Sequence, residues 1–411
     1  MLIESLTVGR GRALSLIILG VLTTFGPMAI DLYLPAFPDV AVDLGVPVTT
    51  VPLTLTTSMI GMGVGQLLYG PLSDRYGRKK PLVGGLVLFT VASVACALAP
   101  TFQTLLGFRF LQSLGGAAGV VIARAIVRDL YQGRELAKAL SIVVMVFGLA
   151  PVLAPTLGAV LLEFGGWRTL FYFLSMFGIG CIAISAGLPE THAANRRNDH
   201  GIVLAIRTYA SLSKDSRFLA PALLIGFSYV TLFGFISTAP AILMDYFGLD
   251  ELMFAILFGF LSLCFAIGAP INRRLLRNFS IQRLIMGAVV LQVVSAAGLF
   301  ASGLGGPRLI VFVLTVGVAM LTVAVVSANG TALALDPFPN SAGSAAALVG
   351  LVGMAFGASV SALLVALHSP VVIELAATML VGGIAGLVML PFIAGSRRNR
   401  GIPVMRVAAN T

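Results

Sequence analysis

Residues 70–81 read GPLSDRYGRKKP, a short and densely charged segment between two long apolar stretches. Charged side chains beside lipid are costly, so a charged segment at this place marks where the chain leaves a membrane and re-enters it. The glycines and prolines at its ends indicate a tight bend with close backbone approach. The segment therefore predicts a loop that joins two membrane-spanning helices.

The whole chain has the composition of a membrane protein. Hydrophobic residues make up 58% of the 411, charged residues only 10%, and the mean hydropathy is +1.02, whereas soluble proteins carry about 25% charged residues. The apolar runs are longer than the ~10-residue strands of a membrane barrel and apolar on every face, which favours helices. We predict an all-α membrane protein with twelve transmembrane spans, at residues 13–36, 49–71, 81–100, 102–126, 138–161, 168–188, 218–243, 251–272, 282–302, 308–333, 343–367 and 372–394.

The distribution of lysine and arginine predicts the orientation. All but four of the 26 fall in segments that share one side of the membrane if the N-terminus is cytoplasmic, and cytoplasmic segments are rich in basic residues. Segments on the other side carry acidic residues, among them Asp39 and Asp43. Both termini are therefore predicted to be cytoplasmic. The first span contains Asp31 and has no small-residue cleavage site behind it, which favours a retained helix over a signal peptide.

Charge and cysteine content argue against several other functions. The net charge of +10 is spread over six short segments, as expected beside anionic lipid, and is not gathered on one face as in nucleic-acid-binding proteins. Cys96, Cys181 and Cys264 are scattered through predicted spans without neighbouring histidines, so no metal site is predicted. We find no nucleophile–base set or phosphate loop, and we predict that the protein is not an enzyme and has no cofactor.

A polar stretch divides the chain into two similar halves. We predict an N-terminal six-helix bundle at 1–188, a cytoplasmic linker at 189–217, a C-terminal bundle at 218–394 and a cytoplasmic tail at 395–411. Six spans on each side are typical of transporters built from repeats. The segment 268–277, GAPINRRLLR, takes the place of the charged loop in the second half. It keeps the glycine and the arginines but has lost the aspartate.

Asp31 and Arg109 are the candidates for proton coupling. Each lies within a predicted span, at a similar depth in the outer half of the membrane for a rise of ~1.5 Å per residue. Charged groups at such depth are rare and need partners, so we predict that the two couple directly or through water. Two alternatives stay open: Asp31 is wetted by the outer surface near Pro35, or Arg109 binds backbone carbonyls and holds helices together.

A conformational gate is predicted in the charged loop and just past the fourth span. Its members are Gly70, Asp74, Arg75, Gly77, Arg78 and Asp129. Asp74 can lie near a helix N-terminus and use its positive end, and Arg75 and Arg78 can pair with Asp129. Such contacts clasp the cytoplasmic ends of helices in one conformation and release them in another. The alternative is that these charges only set topology.

Two further patterns concern packing and binding. Pro151 and Pro155 in the fifth span favour a kink, and Gly158 permits close helix contact, although an ordinary kinked span has the same pattern. A substrate cavity needs apolar walls and a few polar anchors, and packing is the alternative for each candidate. The candidate substrate-binding residues are Asp31, Tyr33, Met59, Gln112, Tyr229, Phe233 and Asn329.

Together these motifs resemble the major facilitator superfamily, and specifically the twelve-span drug/proton antiporters of the bicyclomycin-resistance type, over nearly the whole chain. The charged loop matches the pattern G-x-L-x-D-R-x-G-R-[RK]. The chloramphenicol and florfenicol exporters share the remaining points of resemblance, which are Asp31-Leu-Tyr33-Leu34-Pro35, Arg109-Phe-Leu-Gln112-Ser-Leu-Gly115, Arg124-Ala-Ile-Val-Arg128-Asp129, and Ala150-Pro151 with Pro155 and Gly158.

The resemblance implies proton-coupled efflux of lipophilic drug-like molecules, of amphenicol, bicyclomycin or multidrug type, across the bacterial inner membrane. It implies alternating access between two bundles, with Asp31 as proton and substrate acid and Arg109 as the coupling arginine. The implied partners are the drug, protons and the lipid bilayer, and we expect a monomer. Ala150 and Ser113 replace glycines that are usual in the family, which leaves the substrate range open.

Other functions remain as alternatives at this point. A proton-coupled symporter or facilitator of a small metabolite has the same architecture, although the few polar residues in the spans disfavour a sugar. The direction of proton movement relative to the solute separates it from an antiporter. A membrane-embedded enzyme or a non-transporting receptor has no sequence feature in its favour.

Overall fold

The computed structural model describes residues 9–192, 201–306, 308–338, 341–367 and 371–398. The described residues are helical and contain no β-strand. The helices of the first half are α1 (Gly9–Thr23), α2 (Phe25–Asp31), α3 (Phe37–Asp43), α4 (Leu53–Tyr76), α5 (Lys79–Ala97), α6 (Phe102–Leu130), α7 (Gly133–Gly165) and α8 (Trp167–Ala186). Those that follow are α9 (Gly201–Leu212), α10 (Ser216–Pro240), α11 (Glu251–Leu275), α12 (Ile281–Leu304), α13 (Leu309–Leu335), α14 (Ala342–Ala366) and α15 (Val371–Arg398).

The predicted all-α fold with up to twelve spans is confirmed. In the described residues 11 helices are long and apolar enough to cross a membrane singly, and the number is twelve if the bent pair Leu14–Thr23 and Phe25–Asp43 is counted as one span. Helices suit this environment because they satisfy all their backbone hydrogen bonds internally. We call the side of the molecule that holds residues 70–81 the loop side, and the other the opposite side.

The first span is broken, where the sequence predicted one helix over 13–36. The axis bends by 45° between α1 and α2. Pro27 has no N–H to donate to the carbonyl of Thr23, and its ring clashes with that carbonyl. The hydroxyls of Thr23 and Thr24 bond back to the carbonyls of Gly20 and Val21, an arrangement that bends helices. A 3₁₀ turn at Leu34–Ala36 follows, so the backbone around Asp31 is irregular.

Small residues set the packing within each bundle. In lipid, helices associate through close contact rather than through exclusion of water. Gly61 and Gly65 of α4 lie against the backbone of α6, and Gly353 and Gly357 of α14 lie against the rings of Tyr229 and Phe233 on α10. A methyl group at any of these glycines would overlap its neighbour. The small-xxx-small spacing of these glycines in spans two and eleven thus marks two close helix contacts.

The two bundles meet along two helix pairs. α4 packs against α14 and α7 packs against α11. On the opposite side, the Ser361 hydroxyl of α14 donates to the Pro52 carbonyl beside α4 at 3.1 Å. Between the halves, α9 lies against α4, and its Tyr209 hydroxyl donates to the Leu67 carbonyl at 3.2 Å. The predicted domain limits stay predictions, and residues 193–200 of the linker and 399–411 of the tail lie outside the described residues.

Candidate functional site

Asp31 ends α2, just after the bend in the first span. The residue is 4% exposed, and its carboxylate makes no hydrogen bond or ion pair with any described residue. An isolated carboxylate away from water is unstable in its charged form. Asp31 is therefore an ionisable group with no compensating partner in this conformation.

Arg109 is fully buried in α6 and held by one chain of hydrogen bonds. Its Nη1 donates to Gln112 Oε1 at 2.7 Å, and Gln112 Nε2 donates to the Ser93 hydroxyl on α5 at 2.8 Å. The Ser93 hydroxyl in turn donates to the Phe89 carbonyl. Both ends of the Gln112 amide are thus engaged. Gln112, predicted to bind substrate, instead orients the guanidinium in this structure.

The rest of the Arg109 guanidinium lies among aromatic rings. Its central carbon is 4.9 Å from the ring centroid of Tyr33 and 5.6 Å from that of Phe171 on α8. Its Nε and Nη2 have no hydrogen-bond partner among the described residues. Of the two predicted forms of coupling between Arg109 and Asp31, direct or through water, the direct ion pair is absent from this structure. The alternative in which Arg109 binds carbonyls is not found either.

Gly158 places the fifth span against the irregular turn of the first. A Cβ at this position would overlap the carbonyl oxygen of Leu32, the residue after Asp31. Pro151 and Pro155 lie inside the same helix, α7, as the sequence predicted. The proline–glycine segment therefore adjoins the backbone that carries the buried carboxylate.

Arg78 is the centre of a charged cluster on the loop side. Its Nε donates to Asp129 Oδ2 at 2.9 Å, and its Nη1 donates to Asp74 and to the Ser73 hydroxyl. Burial opposes the charge on Arg78, but the hydrogen bonds to Asp129 and Asp74 outweigh it and raise the pKa of the guanidinium. The predicted contact between Arg78 and Asp129 is present, and it ties the loop to the end of α6.

Two details of the predicted gate differ. Arg75 does not reach Asp129, and its guanidinium lies 5.2 Å from the ring centroid of Tyr76. Asp74 lies in the last turn of α4 rather than at a helix N-terminus. The carboxylate at the start of α5 belongs to Glu190, which accepts from the backbone N–H groups of Arg78 and Lys79 at 2.8 and 3.2 Å. Glu190 lies 112 residues after Arg78, too far for a local sequence pattern to reveal.

The two glycines of the loop are not equivalent. Gly77 has φ 86° and ψ 168°, a conformation that is open almost only to glycine. Gly70 is helical, and no atom lies within 4 Å of where its Cβ would be. The structure explains Gly77 by its backbone angles and offers no steric reason for Gly70.

The predicted substrate residues do not form one group in this conformation. Tyr33 and Met59 are fully buried in the first bundle. Tyr229 and Phe233 lie together on α10 with ring centroids 5.8 Å apart, and the Tyr229 hydroxyl is 3.0 Å from that of Ser327. These four residues lie in two different bundles.

Asn329 has a structural role where a substrate contact was predicted. Its Nδ2 donates to Asn272 Oδ1 at 2.7 Å and to the Val325 carbonyl, and Asn272 donates back at 3.4 Å. Asn272 holds the place in segment 268–277 that Asp74 holds in the charged loop. The second half thus joins α11 to α13 with neutral amides, because its aspartate is missing.

Two residues that were assigned no role of their own from the sequence become prominent in the fold. Glu374 of α15 is buried and lines a cavity of about 220 Å³ between the bundles on the opposite side, together with Pro52 and Ser237. Arg124 of α6 is exposed although it lies well within a span. A charged residue inside an apolar run was the available signal for both.

Spans arranged as two packed bundles, with ionisable side chains in their interior, are typical of proteins that carry solutes across a membrane. The fold and site define a multi-pass membrane transporter. The family follows from comparison with known proteins: the family model of the Major Facilitator Superfamily matches residues 19–362, and the chain belongs to that superfamily. Its members are transporters rather than enzymes, as the sequence predicted.

Several bacterial relatives are similar along most of their length. The chain is 35% identical to an uncharacterized MFS-type transporter, YdgK, of Bacillus subtilis, over 92% of this chain and 94% of that protein. It is 30% identical to a bicyclomycin resistance protein homolog of Haemophilus influenzae, over 84% and 87%. It is 33% identical to a chloramphenicol resistance protein of Pseudomonas aeruginosa, over 86% and 84%. The predicted resemblance is confirmed.

Solved structures agree on the fold. A POT family transporter in complex with 5-aminolevulinic acid superposes with a TM-score of 0.75, covering 98% of this chain and 100% of that one at 14% identity. The shared feature at this identity is the fold alone.

Proposed function

We propose that this protein exports lipophilic drug-like compounds in exchange for protons across the bacterial inner membrane, as a monomer with its loop side in the cytoplasm. The drug-resistance relatives support export of such compounds. The observation that carries proton exchange is the buried Asp31 carboxylate, which has no ion-pair or hydrogen-bond partner among the described residues. Such a group is stable as the neutral acid and ionises only when water or a charge reaches it.

Alternating access connects this site to transport. In the proposed cycle, the bundles at 1–188 and 218–394 rock about the site, with 189–217 as the link. Protonated Asp31 favours one state, and substrate competes for the deprotonated form. Coupling requires that the affinity of the protein for the proton, and its affinity for the substrate, differ between the two states. Arg109, aimed by Gln112, supplies the positive charge that influences when Asp31 releases its proton.

The charged cluster around Arg78 times this cycle rather than selecting the substrate. Its contacts join the ends of α4, α5 and α6 on the loop side. A cluster that forms in one state and breaks in the other changes the rate of interconversion. Asp74→Asn is therefore expected to slow turnover more than it weakens substrate binding.

Drug susceptibility of a pump-deficient bacterium tests the proposal. Cells with the wild-type protein are expected to tolerate more chloramphenicol or another lipophilic drug than cells with Asp31→Asn, at equal protein levels. The matched control is Asp39→Asn, because Asp39 is an exposed aspartate on the neighbouring α3. Equal resistance in wild type and Asp31→Asn contradicts the role of Asp31, and no resistance to any compound of the panel contradicts drug export.

A further inference from the structure

One face of α6 carries polar groups that the proposed cycle does not use. Ser113 and Arg124 lie on about the same side of the helix as Arg109. Ser113 follows Arg109 by four residues and Arg124 follows Ser113 by eleven, and each separation is close to a whole number of helical turns. The Ser113 hydroxyl and two nitrogens of Arg109 have no hydrogen-bond partner among the described residues. This face therefore presents hydrogen-bond donors without acceptors.

Arg124 is the exposed member of this face. It lies six residues before Leu130, the loop-side end of α6, or roughly 9 Å along the axis. It makes no hydrogen bond or ion pair with any described residue. Its guanidinium carbon is 6.0 Å from the ring centroid of Phe147 on α7. An unpaired guanidinium at this depth needs water or a ligand to stabilise its charge.

The surroundings of Arg124 belong to both bundles. The charged or titratable groups that act on it are Arg128, one turn further along α6, and Tyr229 on α10 of the other bundle. The Arg128 side chain extends toward the other bundle, because a Cβ built on Gly343 of α14 would lie 3.9 Å from Nη1 of Arg128. Arg124 thus lies where the two bundles adjoin. No carboxylate among the described residues contributes to the balance of charge around it.

We propose that Arg124, Phe147 and Tyr229 form a substrate subsite that binds a carboxylate or other acceptor-rich group of an aromatic compound and excludes cations. The guanidinium supplies up to five donors in a planar fork that matches a carboxylate, and the two rings supply apolar walls on opposite bundles. A cation at this place meets Arg124 and Arg128 without a compensating anion. The proposal rests on the proposed drug export and specifies the charge of the compounds exported.

Two dyes with one ring system and opposite charge test this subsite. Fluorescence anisotropy of the purified full-length protein in lipid nanodiscs measures the binding of fluorescein, an anionic xanthene, and of a cationic rhodamine ester. The wild-type protein is expected to bind fluorescein at least tenfold more tightly than the rhodamine. Arg124→Gln removes the charge and is expected to bring this ratio close to one, whereas Arg124→Lys keeps the charge and most of the ratio. Arg274→Gln, which removes an exposed charge at the end of α11, is the control and leaves the ratio unchanged.

Several outcomes overturn the subsite. They are equal binding of the two dyes by the wild type, absence of fluorescein binding, and a ratio that Arg124→Gln leaves as in the wild type. The drug-susceptibility panel separates this failure from that of the proposed function. Dye selectivity without drug resistance contradicts export alone, and drug resistance without dye selectivity contradicts the subsite alone.

Discussion

At the scale of single residues, Gln112 decides how Arg109 is held. The Gln112 amide is the only hydrogen-bond partner of a fully buried guanidinium among the described residues. Hydrogen bonds to charged groups are worth about 1.5–3 kcal/mol. Gln112→Ala is therefore expected to lower the free energy of unfolding by about that amount, measured by denaturant titration in detergent. Gln103→Ala is the control, because Gln103 is exposed on the same helix. Equal stability of the two variants contradicts this account of Gln112.

Gly77 and Gly70 provide a second comparison of residues. Gly77→Ala forces an alanine into a backbone region that costs about 1–3 kcal/mol, so the unfolding free energy is expected to fall by this amount. Gly70→Ala replaces a helical glycine with free space around it, and a gain of about 0.5–1 kcal/mol is expected. Thermal unfolding of the purified variants measures both. A loss of stability in Gly70→Ala as large as in Gly77→Ala rules out the backbone explanation.

The sequence predicted which residues belong to the candidate site more accurately than it predicted the contacts of those residues. Asp31 and Arg109 were found because a charge inside an apolar run is unusual at any helix orientation. Whether the two pair directly or through water could not be predicted, because depth along a helix says nothing about its rotation. That rotation turns Arg109 toward Tyr33 and Phe171, while Gln112 lies beside it on the same helix. The exposure of Arg124 depends on the gap between bundles, which only the assembled fold defines.

At the scale of elements, the contact of α7 with the broken first span leaves no room for a side chain at Gly158. Gly158→Ala places a methyl group onto the Leu32 carbonyl, so α7 must move away from the turn that carries Asp31. Overpacking of this kind costs about 1–3 kcal/mol, and a lower drug efflux rate at equal protein level is expected. Gly148→Ala is the matched control, because no atom lies within 4 Å of its Cβ position on the same helix. Unchanged efflux in Gly158→Ala contradicts a mechanical role for this contact.

Element limits were predictable where hydropathy alone decides them. A span must be apolar and helical over its whole length, so most predicted span limits lie within a few residues of the observed helix ends. The break at Thr24 was not predicted, although Pro27 and two consecutive threonines were visible in the sequence. Prolines in spans do not always break a helix, and neighbouring helices determine whether the bend persists. The bend matters because it leaves Asp31 at the end of a short helix.

At the scale of the whole molecule, the proposed transport needs two bundles that exchange a proton for a substrate. The charged loop at 70–81 identified the superfamily, and the structure shows it bound through Arg78 to Asp129 and through the backbone to Glu190. Neither the loop nor the overall fold specifies the direction of coupling, because symporters and antiporters can share one architecture. The direction is a property of how Asp31 and the substrate compete.

Proton movement in proteoliposomes tests whether the protein exchanges protons for drug through Asp31. Vesicles that contain the purified protein and an internal pH-sensitive dye are loaded with chloramphenicol or another drug that the susceptibility panel identifies, and are then diluted. Wild-type protein is expected to move protons against the direction of drug flow, Asp39→Asn to do the same, and Asp31→Asn to move none while remaining folded. Protons that move with the drug, or proton movement that persists in Asp31→Asn, would contradict proton exchange through Asp31.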